Sequence, residues 1–202
     1  MAEIIVGTTN EAKVQQIRGA LRNIGIVVNG VEDKSLLPDV KEDGLTAIDN
    51  ARKKALAYSA SLGHTVLSMD NALYIHGLND NQQPGLHVRR IDGVERSSDE
   101  DLIKYYVKTI SSLGDTAKAH WEFGVCVANP KGLLGETKIV SPERIFTTKV
   151  GAGAVPGYPL DSIQIDPISG KYFSEMRQQE TDEFWQQSIG KELSDFVASL
   201  GL

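Results

Sequence analysis

The chain opens with the stretch Met1-Ala-Glu-Ile-Ile-Val-Gly-Thr-Thr-Asn-Glu-Ala-Lys-Val-Gln-Gln-Ile-Arg-Gly-Ala-Leu21. A short apolar run of strand-forming residues, Ile4 to Val6, comes first, and Gly7 to Asn10 then turn the chain. Apolar residues follow at helical spacing, at Val14, Ile17, Leu21 and Ile24. The pattern predicts a strand, a tight turn and a helix, in the order in which many α/β domains begin.

The turn at Thr8, Thr9 and Asn10 is a candidate anion site. Backbone N–H groups at a helix N-terminus point outward with partial positive charge, so they favour a phosphate. The three polar side chains add donors, and Lys13 adds a full charge. The competing interpretation is that Thr or Asn only caps the helix. The turn matches neither a Walker loop nor the three-glycine dinucleotide fingerprint.

Composition indicates a globular protein without disulfides. A chain of 202 residues suits one domain over residues 1–202, and its lone cysteine, Cys126, lies in an apolar run that predicts a buried thiol. The net charge of −6 argues against a nucleic-acid polymer as partner, since backbone phosphates are bound by clustered Lys and Arg. No signal-like segment or membrane-length apolar run is apparent, so we expect a cytoplasmic protein with no membrane partner.

The most regular helical pattern follows Thr46. Its apolar residues share one face, at Ile48, Ala51, Ala55, Tyr58 and Leu62, and Gly63 occupies a natural C-terminal position. The polar residues of the same segment are Asp49, Asn50, Lys53 and Lys54. Residues 32–44 precede it as a polar segment that ends in Glu42-Asp-Gly44 and predicts a loop.

A strand is predicted over Thr65 to Met69, ending at Asp70-Asn71-Ala72. Because α/β sheets place their chemistry outside the carboxyl ends of strands, Asp70 is a candidate functional carboxylate. The alternative is a turn aspartate that hydrogen-bonds its own backbone.

The rest of the chain alternates further helices and strands. The predicted elements are a helix from Ser97 to Leu113 with Ser98 as N-cap, a hairpin of Ala119 to Ala128 and Leu133 to Val140, a strand from Ile145 to Thr148, and a C-terminal helix marked by Ile189, Leu193, Phe196, Val197 and Leu200. The fold class is therefore α/β.

Six motifs, in order over nearly the whole chain, resemble the inosine triphosphate pyrophosphatase family, whose members are also called XTP/dITP diphosphatases. They are Gly7 to Lys13, Glu42 to Ala55, Leu67 to Leu73, Pro84-Gly85, Gly157 to Asp161, and Gly170-Lys171 with Ser174 to Met176. The resemblance implies a mixed α/β fold with a strongly bent central sheet flanked by helices. It also implies two lobes with a deep cleft between them, and a homodimer.

The resemblance further implies hydrolysis of the α–β phosphoanhydride of a nucleoside triphosphate, such as dITP or XTP, to monophosphate and pyrophosphate with Mg²⁺. Glu42 and Asp70 would supply oxygen ligands to Mg²⁺, and Asp70 would also orient or deprotonate the attacking water. Tyr158 falls at the position of the aromatic residue that stacks on the base. The implied substrate-binding residues are Thr8, Thr9, Asn10, Lys13, Lys54, Asn71, Tyr158 and Asp161.

The sequence departs from the family pattern in the site. Met69 replaces the first carboxylate of an Asp-Asp pair, and Asn71-Ala72 replaces Ser-Gly. The family's Ser-His-Arg, which reads the base, has no counterpart; alignment places Trp185-Gln-Gln187 or Gln187-Ser-Ile189 there. Since glutamine both donates and accepts hydrogen bonds, Gln186 and Gln187 are candidates for recognising a different base edge.

Three functional hypotheses follow from the motifs and the departures. The first is a Mg²⁺-dependent nucleoside triphosphate pyrophosphohydrolase with altered base preference. The second is a non-catalytic nucleotide-binding or sensing protein on the same scaffold, and the third is a partner-binding module with a vestigial site. For single residues, the alternative interpretations are that Lys54 is a solvated helix lysine and that Tyr158 is a packing aromatic.

Overall fold

The computed structural model of the chain describes residues 3–91, 93–94 and 97–202. Within these ranges the strands are β1 (Glu3–Val6), β2 (Val27–Gly30), β3 (Val66–Ile75), β4 (Thr116–Asn129), β5 (Gly132–Val140), β6 (Arg144–Thr147) and β7 (Gln164–Ile165). The α-helices are α1 (Glu11–Leu21), α2 (Ala47–Leu62), α3 (Asp99–Ser111), α4 (Gln178–Trp185) and α5 (Lys191–Ser199). The predicted mixed α/β class is confirmed.

The chain divides into two compact units. The first holds Met1–Asn71, Glu122–Ser141 and Glu180–Leu202, and the second holds Ala72–Trp121 and Pro142–Gln179. Strands β3 and β4 contribute residues to both. The single domain over residues 1–202, the bend of the sheet and the cleft between two lobes stay predictions.

Strand β1 organises the first unit. It pairs in parallel with β2, from Glu3 opposite Val27, and with β3 at Ile5 opposite Val66 and Val6 opposite Leu67. In the same unit β4 pairs antiparallel with β5, which confirms the predicted hairpin. The unit therefore mixes parallel and antiparallel pairs.

Helix α2 begins and ends where the sequence predicts. Thr46 and Asp49 form a capping box, in which each side chain accepts a hydrogen bond from the other residue's backbone N–H. Gly63 ends the helix with a left-handed φ of 71°, which glycine adopts without steric cost. On the apolar face, Ala51 and Ala55 pack against a core that includes the buried Cys126, as predicted.

The predicted end of the third strand is wrong. Asp70 lies inside β3, which continues to Ile75, rather than beyond the strand's carboxyl end. The parallel partner is what ends early, because β1 pairs with β3 only as far as Leu67 and then turns at Gly7 into α1. Asp70 therefore follows the last β1 pair by three residues, on the strand against which the β1–α1 turn packs.

The second unit has its own hydrophobic core and further strand pairs. The first residues of β4 pair antiparallel with β6, and β6 pairs antiparallel with β7. Ser98 caps α3 as predicted, and the helix buries Leu102, Tyr106 and Ile110. None of the helices in the described part of the chain has the length and apolar character that a bilayer crossing requires.

Candidate active site

A tight turn brings the start of α1 against β3. A Cβ on Gly7 would lie 2.6 Å from Val66 Cγ1 and 2.7 Å from both Ser68 Oγ and Tyr58 Cδ2, so only glycine fits. The Gly7 N–H donates to the Leu67 carbonyl at 2.8 Å. This close approach places the α1 N-terminus beside the strand that carries Asp70.

The polar residues of the turn shape it locally. Asn10 is the N-cap of α1, and its Oδ1 accepts from the Ala12 N–H at 2.9 Å. Thr8 Oγ1 accepts from the Asn10 N–H at 3.1 Å, and the Thr9 carbonyl accepts from Lys34 Nζ at 3.2 Å. The structure thus shows the capping role of Asn10, while phosphate binding by these residues stays a prediction. Lys34 is a further cation at this turn that the sequence analysis did not single out.

Two lysines from different helices converge on Asp70. Lys54 Nζ, from α2, lies 3.2 Å from Asp70 Oδ1 and 3.2 Å from Glu42 Oε2. Lys13 Nζ, from α1, lies 3.8 Å from Asp70 Oδ1 and donates to the Met69 carbonyl at 3.2 Å. Of the four charged groups, Lys54 and Asp70 are buried and the Glu42 side chain is half-exposed. This group of Lys13, Glu42, Lys54 and Asp70 is called the lysine–carboxylate cluster below.

Asn50 completes the surroundings of Asp70. It lies one helical turn before Lys54 on α2, and its Nδ2 donates to Asp70 Oδ2 at 3.0 Å. Its Oδ1 accepts from the Gly44 N–H at 2.8 Å. Asn50 lies within the Glu42 to Ala55 motif and on the predicted helix, but no function was predicted for it.

Burial and charge act against each other in the cluster. Burial lowers the pKa of Lys13 to about 8, with a second contribution from the charge of Lys54, and Asp70 and Glu42 oppose the change only in part. Burial alone would raise the pKa of Asp70, but the two lysines and the hydrogen bond from Asn50 outweigh it and lower that pKa. At neutral pH, Asp70 is therefore an anion held between two cations.

The Met69 side chain does not face the lysine–carboxylate cluster. Successive side chains of a strand point to opposite faces, so Met69 projects away from the face that carries Asp70. It is buried. The Met69 side chain therefore contributes no polar atom to the cluster.

The cluster offers two carboxylates to a metal. Within the described ranges, no group of three or more His, Cys, Asp or Glu side chains lies close enough to hold an ion by itself. Glu42 and Asp70 do share one point of approach, because each has an oxygen 3.2 Å from Lys54 Nζ. Two carboxylate donors suit Mg²⁺, which usually keeps several waters and takes further oxygens from phosphates.

A model of the Ham1 family matches residues 4–188. The chain belongs to the Ham1 family. This membership confirms the resemblance to inosine triphosphate pyrophosphatases that the motifs carried.

Named relatives of this Ham1-family chain match it over much of their length. It is 28% identical over 178 residues to a dITP/XTP pyrophosphatase of Exiguobacterium sp., covering 88% of this chain and 87% of the relative. It is 32% identical over 139 residues to a dITP/XTP pyrophosphatase of Staphylococcus aureus, covering 69% and 67%. The fold matches that of a HAM1 protein from Coxiella burnetii with a TM-score of 0.74, at 22% identity over 98% of this chain and 100% of the other.

Two site residues predicted from the family motif lie in the second unit. Tyr158 and Asp161 are partly buried around the start of a short 3-10 helix, Pro159–Ile163. Burial raises the pKa of Asp161 to about 7, and the charge of Arg144 opposes that rise. Gln164 lies beside Asp161, and its Nε2 donates to Asp161 Oδ1 at 3.4 Å.

A buried polar network surrounds Asp161. Gln164 Oε1 accepts from Trp121 Nε1 at 2.9 Å and from an Arg144 guanidinium N–H at 3.0 Å. The Arg144 guanidinium also stacks on the Phe173 ring, 4.6 Å from its centroid. Arg144 and Gln164 were not predicted as site residues, because each lies on a short strand whose sequence does not mark a polar side chain as buried.

The two candidate glutamines lie on a π-helical turn, Gln186–Gly190, between α4 and α5. Gln186 Oε1 accepts from Arg22 at 3.3 Å, and Gln187 is exposed. Arg22 is the C-cap of α1, about 13 Å along the helix axis from Lys13. The structure therefore places Gln186 at the opposite end of α1 from the cluster, and a role for either glutamine in base recognition stays a prediction.

Asn71 ends the first of the three segments of the first unit and follows Asp70 on β3. Its Oδ1 is buried and accepts no hydrogen bond from the described residues. The predicted charged residues that the structure brings together are Lys13, Glu42, Lys54 and Asp70.

Proposed function

We propose that this Ham1-family chain is a Mg²⁺-dependent nucleoside triphosphate pyrophosphohydrolase that cleaves the α–β phosphoanhydride to give monophosphate and pyrophosphate. The observation that carries the proposal is the lysine–carboxylate cluster, in which two ammonium groups and two carboxylates from separate segments meet. The names of the dITP/XTP pyrophosphatase relatives support the same chemistry.

The lysines suit the substrate's charge. A triphosphate is a polyanion that repels an attacking hydroxide, so a site must neutralise that charge before water can approach the α-phosphorus. In the cluster Lys13 and Lys54 are paired with Asp70. We infer that phosphate oxygens draw both ammonium groups away from that carboxylate when substrate binds.

When Lys13 and Lys54 move away from Asp70 towards phosphate, Asp70 loses its ion-pair partners and becomes a stronger base. Its lowered pKa makes it a weak base while both cations are near. Once they face phosphate, Asp70 keeps its hydrogen bond from Asn50 and regains proton affinity. Asp70 then orients the attacking water and accepts its proton.

Glu42 and Asp70 are the residues that would hold Mg²⁺. When bound, the ion would neutralise phosphate charge and polarise the P–O bonds of the substrate. The half-exposed Glu42 side chain leaves oxygen surface open to solvent, which fits a ligand that arrives with the nucleotide.

For the substrate we propose a modified purine triphosphate such as dITP or XTP, in line with the names of the relatives. Tyr158 would offer an aromatic face to the base, and Asp161, Gln186 and Gln187 are the candidate groups for its polar edge. Thr8, Thr9, Asn10 and Asn71 would contact phosphate or sugar.

A panel of standard and modified triphosphates with Mg²⁺, scored for pyrophosphate release, tests the proposal. The expected result is turnover of one or more purine analogues by the wild type and its loss in Asp70→Asn. Absence of turnover above that variant for every triphosphate would contradict an enzymatic function.

A second candidate is a nucleotide-binding protein without hydrolysis. It is favoured by the contacts of Asp70, whose Oδ1 faces Lys54 and whose Oδ2 accepts from Asn50. If phosphate did not displace the lysines, both oxygens of Asp70 would stay engaged and neither could accept a hydrogen bond from the attacking water. Calorimetry that finds triphosphate binding, with the nucleotide recovered intact, would support this candidate.

We also propose that the protein is a homodimer in the cytoplasm whose partner is the triphosphate rather than a nucleic-acid polymer or a membrane. The support for the dimer is the family resemblance, and the support for the substrate is the names of the relatives. Light scattering coupled to size-exclusion chromatography measures the oligomeric state.

A further inference from the structure

Asn50 connects the two carboxylate-bearing segments of the cluster. Its Oδ1 accepts from the Gly44 N–H at 2.8 Å, and its Nδ2 donates to Asp70 Oδ2 at 3.0 Å. The residue is 3% exposed, so water competes little for either contact. Because a backbone N–H can only donate, Gly44 fixes which end of the amide faces it, and the amino end must face Asp70.

The loop that carries Glu42 is held close to α2 at the same place. A Cβ on Gly44 would lie 2.7 Å from Asn50 Oδ1 and 2.6 Å from Asp49 Cβ, so the loop backbone approaches the helix as closely as glycine allows. Two residues earlier, Glu42 reaches Lys54 Nζ. Asn50 therefore ties one carboxylate directly and the other through the loop backbone.

We propose that Asn50 is a positioning residue that holds the Glu42 loop and Asp70 in register, so that both carboxylates present oxygen atoms to one divalent cation. The inference rests on the proposed function, since it takes Mg²⁺ with a nucleoside triphosphate as the ligand. Asn50 acts through its two neighbours and does not itself contact the substrate.

Two variants test its two contacts without changing a charge. Gly44→Ala keeps the Asp70 contact and displaces the loop, because its Cβ has no room. Asn50→Leu removes both contacts at similar size. Asn81→Leu, at an exposed position of the second unit, is the matched control.

The experiment is calorimetric titration of Mg²⁺ in the presence of the α,β-methylene analogue of dITP, which this hydrolysis cannot cleave. Removing a partner that orients metal ligands typically costs 10- to 100-fold in metal affinity, so we expect a roughly tenfold or greater weakening of Mg²⁺ affinity in Asn50→Leu and Gly44→Ala. Binding of the analogue without Mg²⁺ should stay close to that of the wild type, because Lys13 and Lys54 are untouched and neither substitution changes a charge.

The two affinities separate positioning from packing. In Asn50→Leu and Gly44→Ala only the Mg²⁺ affinity should weaken, while Asn81→Leu should leave both affinities unchanged. Wild-type Mg²⁺ affinity in Asn50→Leu and Gly44→Ala would overturn the inference, and so would an equal weakening of both affinities.

Failure of the proposed function gives a different result. If the wild type neither binds the analogue with Mg²⁺ nor releases pyrophosphate, the hydrogen exchange of the Gly44 amide decides on Asn50 alone, because that N–H donates to Asn50 Oδ1. Faster exchange of the Gly44 amide in Asn50→Leu would support the positioning role without catalysis. An unchanged exchange rate would overturn it.

Discussion

Lys54 Nζ lies 3.2 Å from Asp70 Oδ1, although the two residues are 16 positions apart and belong to a helix and a strand. Both side chains are buried, so the pair is shielded from solvent. Breaking a buried ion pair from one side leaves an uncompensated charge, which makes this contact important for stability as well as for activity.

Lys54→Met should therefore lower the free energy of unfolding by about 3 kcal/mol at pH 7. It should also raise KM and lower kcat, since one of the two cations that face phosphate is lost. Chemical denaturation and pyrophosphate release measure the two effects. Lys53→Met is the control, because Lys53 is exposed and pairs with the exposed Asp43. Equal effects in both variants would contradict the assignment.

The lowered pKa of Lys13 predicts that its contribution to the stability of the protein increases at alkaline pH. Its pKa is about 8 in the folded protein and 10.5 as an unperturbed lysine. Between these values the unfolded chain binds more protons, so the contribution of Lys13 to stability increases as pH rises from 8 to 10.5.

Comparison with Lys13→Met isolates this contribution from those of other titrating groups. The difference in unfolding free energy, wild type minus variant, should increase by about 2 kcal/mol over that range. A difference that stays flat from pH 8 to pH 10.5 would show that Lys13 is not desolvated.

The helix α2 and its caps were predictable because the information is local: Thr46, Asp49 and Gly63 stand at helix-terminal spacing in the sequence. The position of Asp70 within its strand was not. Strand β3 continues to Ile75 although β1 stops pairing with it at Leu67, and the sequence around Asp70 gives no sign of either.

The cluster was predicted from motif positions, whereas its connection through Asn50 depends on packing. The π-helical turn at Gln186–Gly190 was missed for a similar reason. There Gly190 packs on α1, where a Cβ would lie 2.8 Å from the Ala20 carbonyl oxygen. Such a contact between distant segments leaves only one unremarkable glycine in the sequence.

Met69→Asp should not restore a metal ligand. Met69 is buried and points away from the Asp70 face, so the new carboxylate would lack a charge partner and cost about 2 kcal/mol of stability or more. Thermal denaturation and Mg²⁺ titration check this, with the volume-conserving Met69→Leu as control. A gain in Mg²⁺ affinity would contradict the orientation of the side chain.

The raised pKa of Asp161 in the second unit predicts that stability falls as pH rises, which is opposite to the effect of Lys13. Its pKa is about 7 in the folded protein against 3.8 for the unperturbed carboxyl, so the folded state binds more protons in between and wild-type stability falls as pH rises through this range. The neutral Asp161→Asn should therefore gain stability relative to wild type between pH 4 and pH 7. Asp80→Asn, at an exposed position, is the control.

The central claim is that the lysine–carboxylate cluster cleaves a nucleoside triphosphate between its α and β phosphates. Its most direct test is product analysis with the preferred triphosphate and Mg²⁺, comparing the wild type with Asp70→Asn. The account predicts equal amounts of monophosphate and pyrophosphate, and a loss of about 100-fold or more in rate in the variant. Release of orthophosphate in place of pyrophosphate, or an unchanged rate in Asp70→Asn, would contradict it.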